Sequence, residues 1–197
     1  MIRRLFALML IAGTSLVAQP ALAADSYVFD NNHTEVQFQW THFGFSTTSA
    51  QFRDVSGTLM FDENDVTKSS IDVTLNVQSL WTGREYFTAH LLSADFFNWL
   101  EYKTASFEST EVTKASGSDH FKVTGDLTIH GITKQTTFDV RINKVAQSPV
   151  SKAKTVGFEA NTTVSRKAYG MGKYVPAVSD DVKITIRSEM NRKADVQ

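Results

Sequence analysis

Apolar and polar side chains alternate with period two through most of this chain, and a pattern of that period suits β-strands with one dry face and one wet face. Val36, Phe38 and Trp40 share one parity against Glu35, Gln37, Gln39 and Thr41. Val55, Leu59 and Phe61 follow past Gly57, and Ile71, Val73, Leu75 and Val77 alternate with Asp72, Thr74, Asn76 and Gln78. Phe121, Val123, Leu127 and Ile129 occupy odd positions, and after Gly131 the apolar parity passes to Phe138, Val140 and Ile142, which marks a hairpin. Val156, Phe158, Ala160 and Val164, then Val182, Ile184, Ile186 and Met190, complete the set, with Phe107 opening a less regular strand. Strands wet on one face belong to antiparallel sheets. About eight such strands either close into a barrel or split into a sandwich. Their length favours the barrel, tall enough to hold a small ligand along its axis.

One stretch breaks the pattern. Trp81 to Trp99 reads WTGREYFTAHLLSADFFNW, without β-alternation and rich in aromatic and aliphatic side chains. So apolar an insert is costly on an open surface, so it is expected to pack as a lid or plug against the end of the sheet. Ser93 is expected to cap a short helix with Asp95 in its first turn, preceded by a turn holding Tyr86, Phe87 and Leu91.

The N-terminus has the form of a cleavable export signal: basic Arg3-Arg4, an apolar run from Leu5 to Val17, Pro20, then small Ala21-Leu22-Ala23. The run is shorter than the roughly 20 apolar residues of a spanning helix. The expected organisation is a signal segment over residues 1–23 and one β-barrel domain over 24–197, free in the periplasm. The formal charge of -1 becomes -3 once the two arginines are removed, which leaves no basic field for nucleic acid. The chain has no cysteine, so neither a disulfide nor a lipid-anchored N-terminal Cys is available.

Taken together, Asp30-Asn31-Asn32-His33-Thr34, His42-Phe43-Gly44-Phe45-Ser46, FRDVSGTLMFD from Phe52 to Asp62, Gly83-Arg84 with Ala89 to Phe97, GDLTIHGITK from Gly125 to Lys134 and Val178-Ser179-Asp180 resemble the YceI-like family. The resemblance covers about Tyr27 to Glu189. It implies an extended lipocalin-like antiparallel barrel, periplasmic or secreted, whose long cavity holds polyisoprenoid or other long-chain amphiphiles such as isoprenoid quinones. It implies no enzymatic activity. Where many members of that family carry charge after the Gly-Arg, this chain has Tyr86-Phe87-Thr88, a more apolar lid.

A dry tunnel suits such a cargo, because each buried methylene contributes about 0.8 kcal/mol and an unpaired polar group offsets several of them. The candidate wall and lid residues are Phe38, Trp40, Phe45, Phe52, Trp81, Phe87, Leu91, Phe96, Phe97, Phe158 and Tyr169, with His42, Arg84 and His90 as polar contacts near the opening. Arg166, Lys167 and Tyr169 beside Gly170 and Gly172 are expected to form a flexible second rim, and His130 a surface or turn residue. No cofactor is expected beyond a bound isoprenoid quinone or polyprenyl lipid as ligand. Transient membrane contact is expected, and the oligomeric state, a homodimer included, is open. Two other readings stand beside this one. His33, His42 and His90 converging on a metal would make a hydrolase, although no Gly-x-Ser-x-Gly, His-Glu-x-x-His or phosphate-binding loop occurs. Fourteen Phe, three Trp and five Tyr could instead fill the barrel, giving a stress-protective interaction protein.

Overall fold

The alternating stretches are extended in the computed structural model, which describes residues 24–196; the expected signal segment lies outside the described residues. The strands are β1 (Asp25–Phe29), β2 (Glu35–His42), β3 (Ser46–Phe52), β4 (Val55–Phe61), β5 (Ser70–Asn76), β6 (Leu80–Trp81), β7 (Thr104–Lys114), β8 (His120–Ile129), β9 (Ile132–Gln147), β10 (Lys154–Ser165) and β11 (Asp181–Arg192). The α-helix α1 (Glu85–Leu92) lies between β6 and β7. Every pairing is antiparallel, and β1, β4, β5, β7, β8, β9, β10 and β11 form a closed eight-stranded barrel because β1 pairs with both β4 and β11.

The other three strands continue members of that ring. β1 lies on β11 from Phe29↔Met190 to Tyr27↔Arg192, and β2 resumes along β11 from Glu35↔Arg187 to Gln39↔Lys183. β3 runs into β4 across Arg53-Asp54, and β6 resumes β5 after the 3-10 turn Val77–Ser79. Each of these strand paths is therefore broken once, by side chains that compete for backbone groups. The Asp30 carboxylate accepts the Asn32 N–H at 3.0 Å and closes the turn Asn31–His33. Asn76 accepts the Gln78 N–H at 3.0 Å, and Ser79 Oγ accepts the N–H groups of Arg53 and Asp54 at 3.1 Å each. Val77, expected on the strand, is buried in this turn instead.

Bulges keep apolar residues inside where the parity slips. One between Ser109 and Glu111 accounts for the irregular strand, since it lets Ala105, Phe107 and Val112 all face the interior. Another at Gly157/Phe158 adjusts the register of β9 on β10. The β8–β9 hairpin turns at His130-Gly131, with φ of 51° and 71°, where the sequence parity switches.

Two apolar clusters line the barrel. One gathers Tyr27, Leu59, Phe61, Phe107 and Phe138, the other Val36, Phe38, Trp40, Phe52 and Leu91, and Phe29, Val73, Phe97 and Ile184 pack against both. At the β2–β3–β6 end the wall is incomplete. β6 pairs only with β3, and β10 beyond Asn161 has lost β9. Helix α1 with the turns that follow it, and the segment 166–180 between β10 and β11, occupy this end.

Gly57 shows how tightly the closed wall is drawn. Its φ is 141°, and a Cβ there would lie 2.0 Å from the Asp72 carbonyl oxygen on the paired strand. Gly57→Ala is expected to cost about 3 kcal/mol or more through strain and overpacking. Urea unfolding measures this, and a loss below about 1 kcal/mol would contradict the geometry.

Candidate functional site

The barrel interior is hollow. A cavity of about 450 Å³, within the range of small-molecule sites, runs from Val66, Ser69 and Ile71 at one end to Trp40, His42, Phe43 and Tyr174 at the other. The filled-barrel expectation fails here, because many aromatic rings stand against the wall and leave the axis open. Phe38 stacks on Trp40 at 5.6 Å and on Phe52 at 5.5 Å, and Phe97 meets Phe38 and Phe52 edge-on at 5.7 and 5.5 Å. Offset and edge-on pairs of this kind hold rings in place beyond what their burial supplies.

The lid differs in detail from its sequence reading. Tyr86, Phe87 and Leu91 form the helix itself, and Ser93 ends it. The Ser93 N–H and hydroxyl both donate to the His90 carbonyl, at 3.2 and 2.7 Å, satisfying a C-terminal acceptor. The start is set upstream, where Thr82 Oγ1 takes the Arg84 N–H and Glu85 stands in the first turn. Asp95 lies in the following turn and pairs with Lys173 from the segment 166–180. Phe87 reaches Trp40 at 6.1 Å, and Phe96 reaches His90 at 5.0 Å and Tyr174 at 6.4 Å. The helix thus touches the barrel wall, while the turn after it touches the opposite cover segment.

Most of the candidate residues meet on this one cavity: Phe38, Trp40, His42, Phe52, Phe87, His90, Leu91, Phe96, Phe97, Phe158 and Tyr169. Three do not. Phe45 is exposed in the β2–β3 turn, where its residue number lies beyond the last buried position of the alternating strand. Trp81 lies off the cavity, its ring covered by the Arg53 guanidinium at 4.6 Å. Arg84 is exposed at the start of α1. Phe29, Phe61, Phe107, Phe121 and Phe138 also line the space, and their inward parity was the available signal. Phe43 and Tyr174 had none, since both are in turns at positive φ.

Polar groups on the wall are few. His42 stands exposed at the mouth, and His90 is half-buried in the lid. Arg166 is 7% exposed, and its guanidinium donates to four carbonyls: Ser179 at 2.9 Å, Lys173 at 2.8 Å, Val178 at 2.9 Å and Met171. Burial pulls its pKa below the usual arginine value, and the nearby Asp180 charge opposes that. The segment expected to be a flexible rim is therefore built around a buried cation. Tyr169 is buried with it. His130 occupies a turn, as expected, yet its ring lies against Tyr102 at 4.4 Å and its Nε2 is buried without a partner.

The three histidines do not converge. His33 lies at the β1–β2 break, bonded to Asp30 at 2.8 Å, and its pKa is raised, first by that hydrogen bond and then by the Asp30 charge. At about 3.3 Å per residue, β2 separates it from His42 by roughly 20 Å. His33 instead shares a cluster with Asp30 and Glu189, whose ligand atoms lie within 4.8 Å of one another.

Arg166 yields a direct test. Arg166→Lys keeps the charge but cannot span four carbonyls, and is expected to cost about 2–4 kcal/mol in chemical unfolding. Wild-type stability in this variant would show that the network does not hold the segment.

The model of the YceI-like domain matches residues 27–190. A UPF0312 protein of Serratia proteamaculans is 37% identical over 183 residues, covering 91% of this chain and 93% of that one. Protein YceI of Escherichia coli O157:H7 is 34% identical over 174 residues, covering 87% and 89%. The crystal structure of a YCEI protein from Campylobacter jejuni superposes with a TM-score of 0.71 at 28% identity, over 78% of this chain and 90% of that one. A polyisoprenoid binding domain from Saccharophagus degradans, implicated in plant cell wall breakdown, shares the fold at a TM-score of 0.63 and 10% identity, over 86% and 99%.

Proposed function

The chain belongs to the YceI-like family, and from that premise we propose that it is a periplasmic carrier or reservoir for a long-chain isoprenoid lipid, an isoprenoid quinone or polyprenyl phosphate, bound without covalent chemistry. The observation that carries this reading is the cavity, about 450 Å³ with walls almost wholly of carbon. Carbon walls that face open space forgo the packing contacts of a filled interior, which is a cost in stability. An apolar occupant removes that cost and gains about 0.8 kcal/mol for each methylene it buries. A polar or charged occupant does neither, because it loses water and finds few partners on the wall. The isoprenoid class is supported by the family and by the ligand named for the Saccharophagus degradans domain. Export is supported by the N-terminal signal pattern of residues 1–23.

The mechanism that follows is partition. The tail moves from a membrane into the dry barrel, the head group stays at the mouth near His42, His90 and Tyr174, and the cover opens and closes around it. The cover is held to the opposite segment by the Lys173–Asp95 pair and the Phe96–Tyr174 contact. Both are partly exposed and individually cheap to break.

Organic extraction of protein purified without detergent is expected to release a long-chain isoprenoid. Delipidated protein is expected to melt about 10 °C lower or more, and to recover when lipid is restored. An empty extract with an unchanged melting temperature would overturn the reading.

Wall and cover are expected to respond differently to substitution. Phe38→Asp places a charge in the dry tunnel and is expected to abolish retention. Phe87→Ala removes part of the cover and is expected to leave loading intact while speeding release about tenfold. Gln39→Ala, on the outer parity, is the control. Lipid dissociation rates with circular dichroism decide the matter, and equal loss from all three folded variants would refute this placement.

A further inference from the structure

Exposed aromatic side chains are unevenly distributed over this surface. Among the described residues those left exposed are Phe43, Phe45, Tyr86 and Tyr174, and all four belong to segments that meet at the cavity mouth. The exposed aliphatic residues Met60, Leu100, Ile132, Val150 and Val196 are scattered over five segments, Leu100 among them in the turns after α1. Phe45 and Tyr86 are 91% and 89% exposed, so neither contributes to the core.

The four aromatics form a rim because the segments carrying them are joined. The Phe43 N–H donates to the Ala177 carbonyl at 3.0 Å, and His42 bridges to Val178, which seats the β2–β3 turn on the segment 166–180. Tyr174 in that segment reaches Phe96 at 6.4 Å, Phe96 reaches His90, and Tyr86 lies one helical turn before His90. Phe43 and Tyr174 also line the cavity, so part of the exposed rim is also part of the cavity wall.

We propose that this rim docks the open end of the barrel onto a phospholipid bilayer, with Phe45 and Tyr86 inserted at the level of the head groups. The proposal rests on the cavity reading above, since it supplies the route by which a tail leaves the membrane without crossing water. Aromatic rings favour that interfacial zone. The charges point to the same occupant. Without residues 1–23 the formal charge is -3, Lys173 at the rim pairs with Asp95, and Arg84 is followed directly by Glu85. A net negative charge gives no overall attraction to an anionic surface, so docking depends on apolar insertion and suits a zwitterionic interface.

The test is flotation with vesicles of phosphatidylcholine, using detergent-free protein expressed from the full sequence. Wild type is expected to float with the vesicles, and the Phe45→Ala/Tyr86→Ala double variant to lose at least about tenfold in partitioning. Val150→Ala, at a site 89% exposed and away from the mouth, is expected to match wild type. Raising salt is expected to leave partitioning within about twofold. Failure of wild type to float, full floating by the double variant, equal loss in Val150→Ala, or loss of binding in salt would each overturn the proposal. So would a shift from dimer to monomer in the double variant without vesicle binding, which would make the rim an interface between copies. Lipid extracted from the same samples separates the two readings. Protein that carries lipid but never floats refutes the docking alone, and protein that floats through Phe45 and Tyr86 but carries no lipid refutes the cavity reading alone.

Discussion

One edge of β11 holds the molecule together. Its C-terminal residues pair with β1 and its middle with β2, so a single strand closes the ring and then carries the wall onward past the closure. Without the β1 pairing the sheet would have two open edges, each with a row of unpaired backbone groups. Without the β2 pairing the barrel would end near Phe29, and Phe38, Trp40 and Phe52 would have no wall to stand on. The turn Asn31–His33 permits both, because it shifts the chain along β11 between the two pairings while Asp30 satisfies its backbone.

The cavity follows from that extension and from the choice of side chains. A wall of rigid rings locked by edge and offset contacts resists collapse, whereas a wall of flexible aliphatics would relax into the void. The same rigidity makes the empty state expensive, and an apolar ligand is the natural relief. Polar side chains on the wall are few, and Arg166 among them is engaged by carbonyls so that it does not compete for the interior.

At the mouth, regular pairing gives out and a different kind of stability takes over. β6 and the end of β10 each lack one strand neighbour, and no ladder joins them. α1 and the segment 166–180 lie at this gap, one held by apolar contact with Trp40, the other by the Arg166 network. A ring contact joins Phe96 to Tyr174 and an exposed ion pair joins Asp95 to Lys173. The cover therefore meets the opposite segment where aromatic side chains are also exposed. Local opening takes place where few buried contacts must be broken.

How much of this was legible beforehand depends on the range of the interaction involved. Period-two alternation is a local property, so Val36, Phe38 and Trp40 on one face, the hairpin at Gly131 and an eight-stranded antiparallel barrel were readable from the residues. So was the apolar insert as a cover. The helix boundary was misplaced because Ser93 has the chemistry to cap either end, and the choice fell to Thr82 and Glu85 upstream. Arg166 read as a loose rim residue because its four carbonyl partners lie five to thirteen residues away in an irregular segment. Phe45 and Trp81 read as lining because aromatic character does not tell which side of a wall a turn or a short strand presents. By itself the sequence determined which faces are dry, since that needs only neighbours two residues apart. Whether the dry faces enclose a hollow, and which rings surround its opening, was decided by the tertiary structure alone, because a void is set by distances across the barrel between strands far apart in the chain.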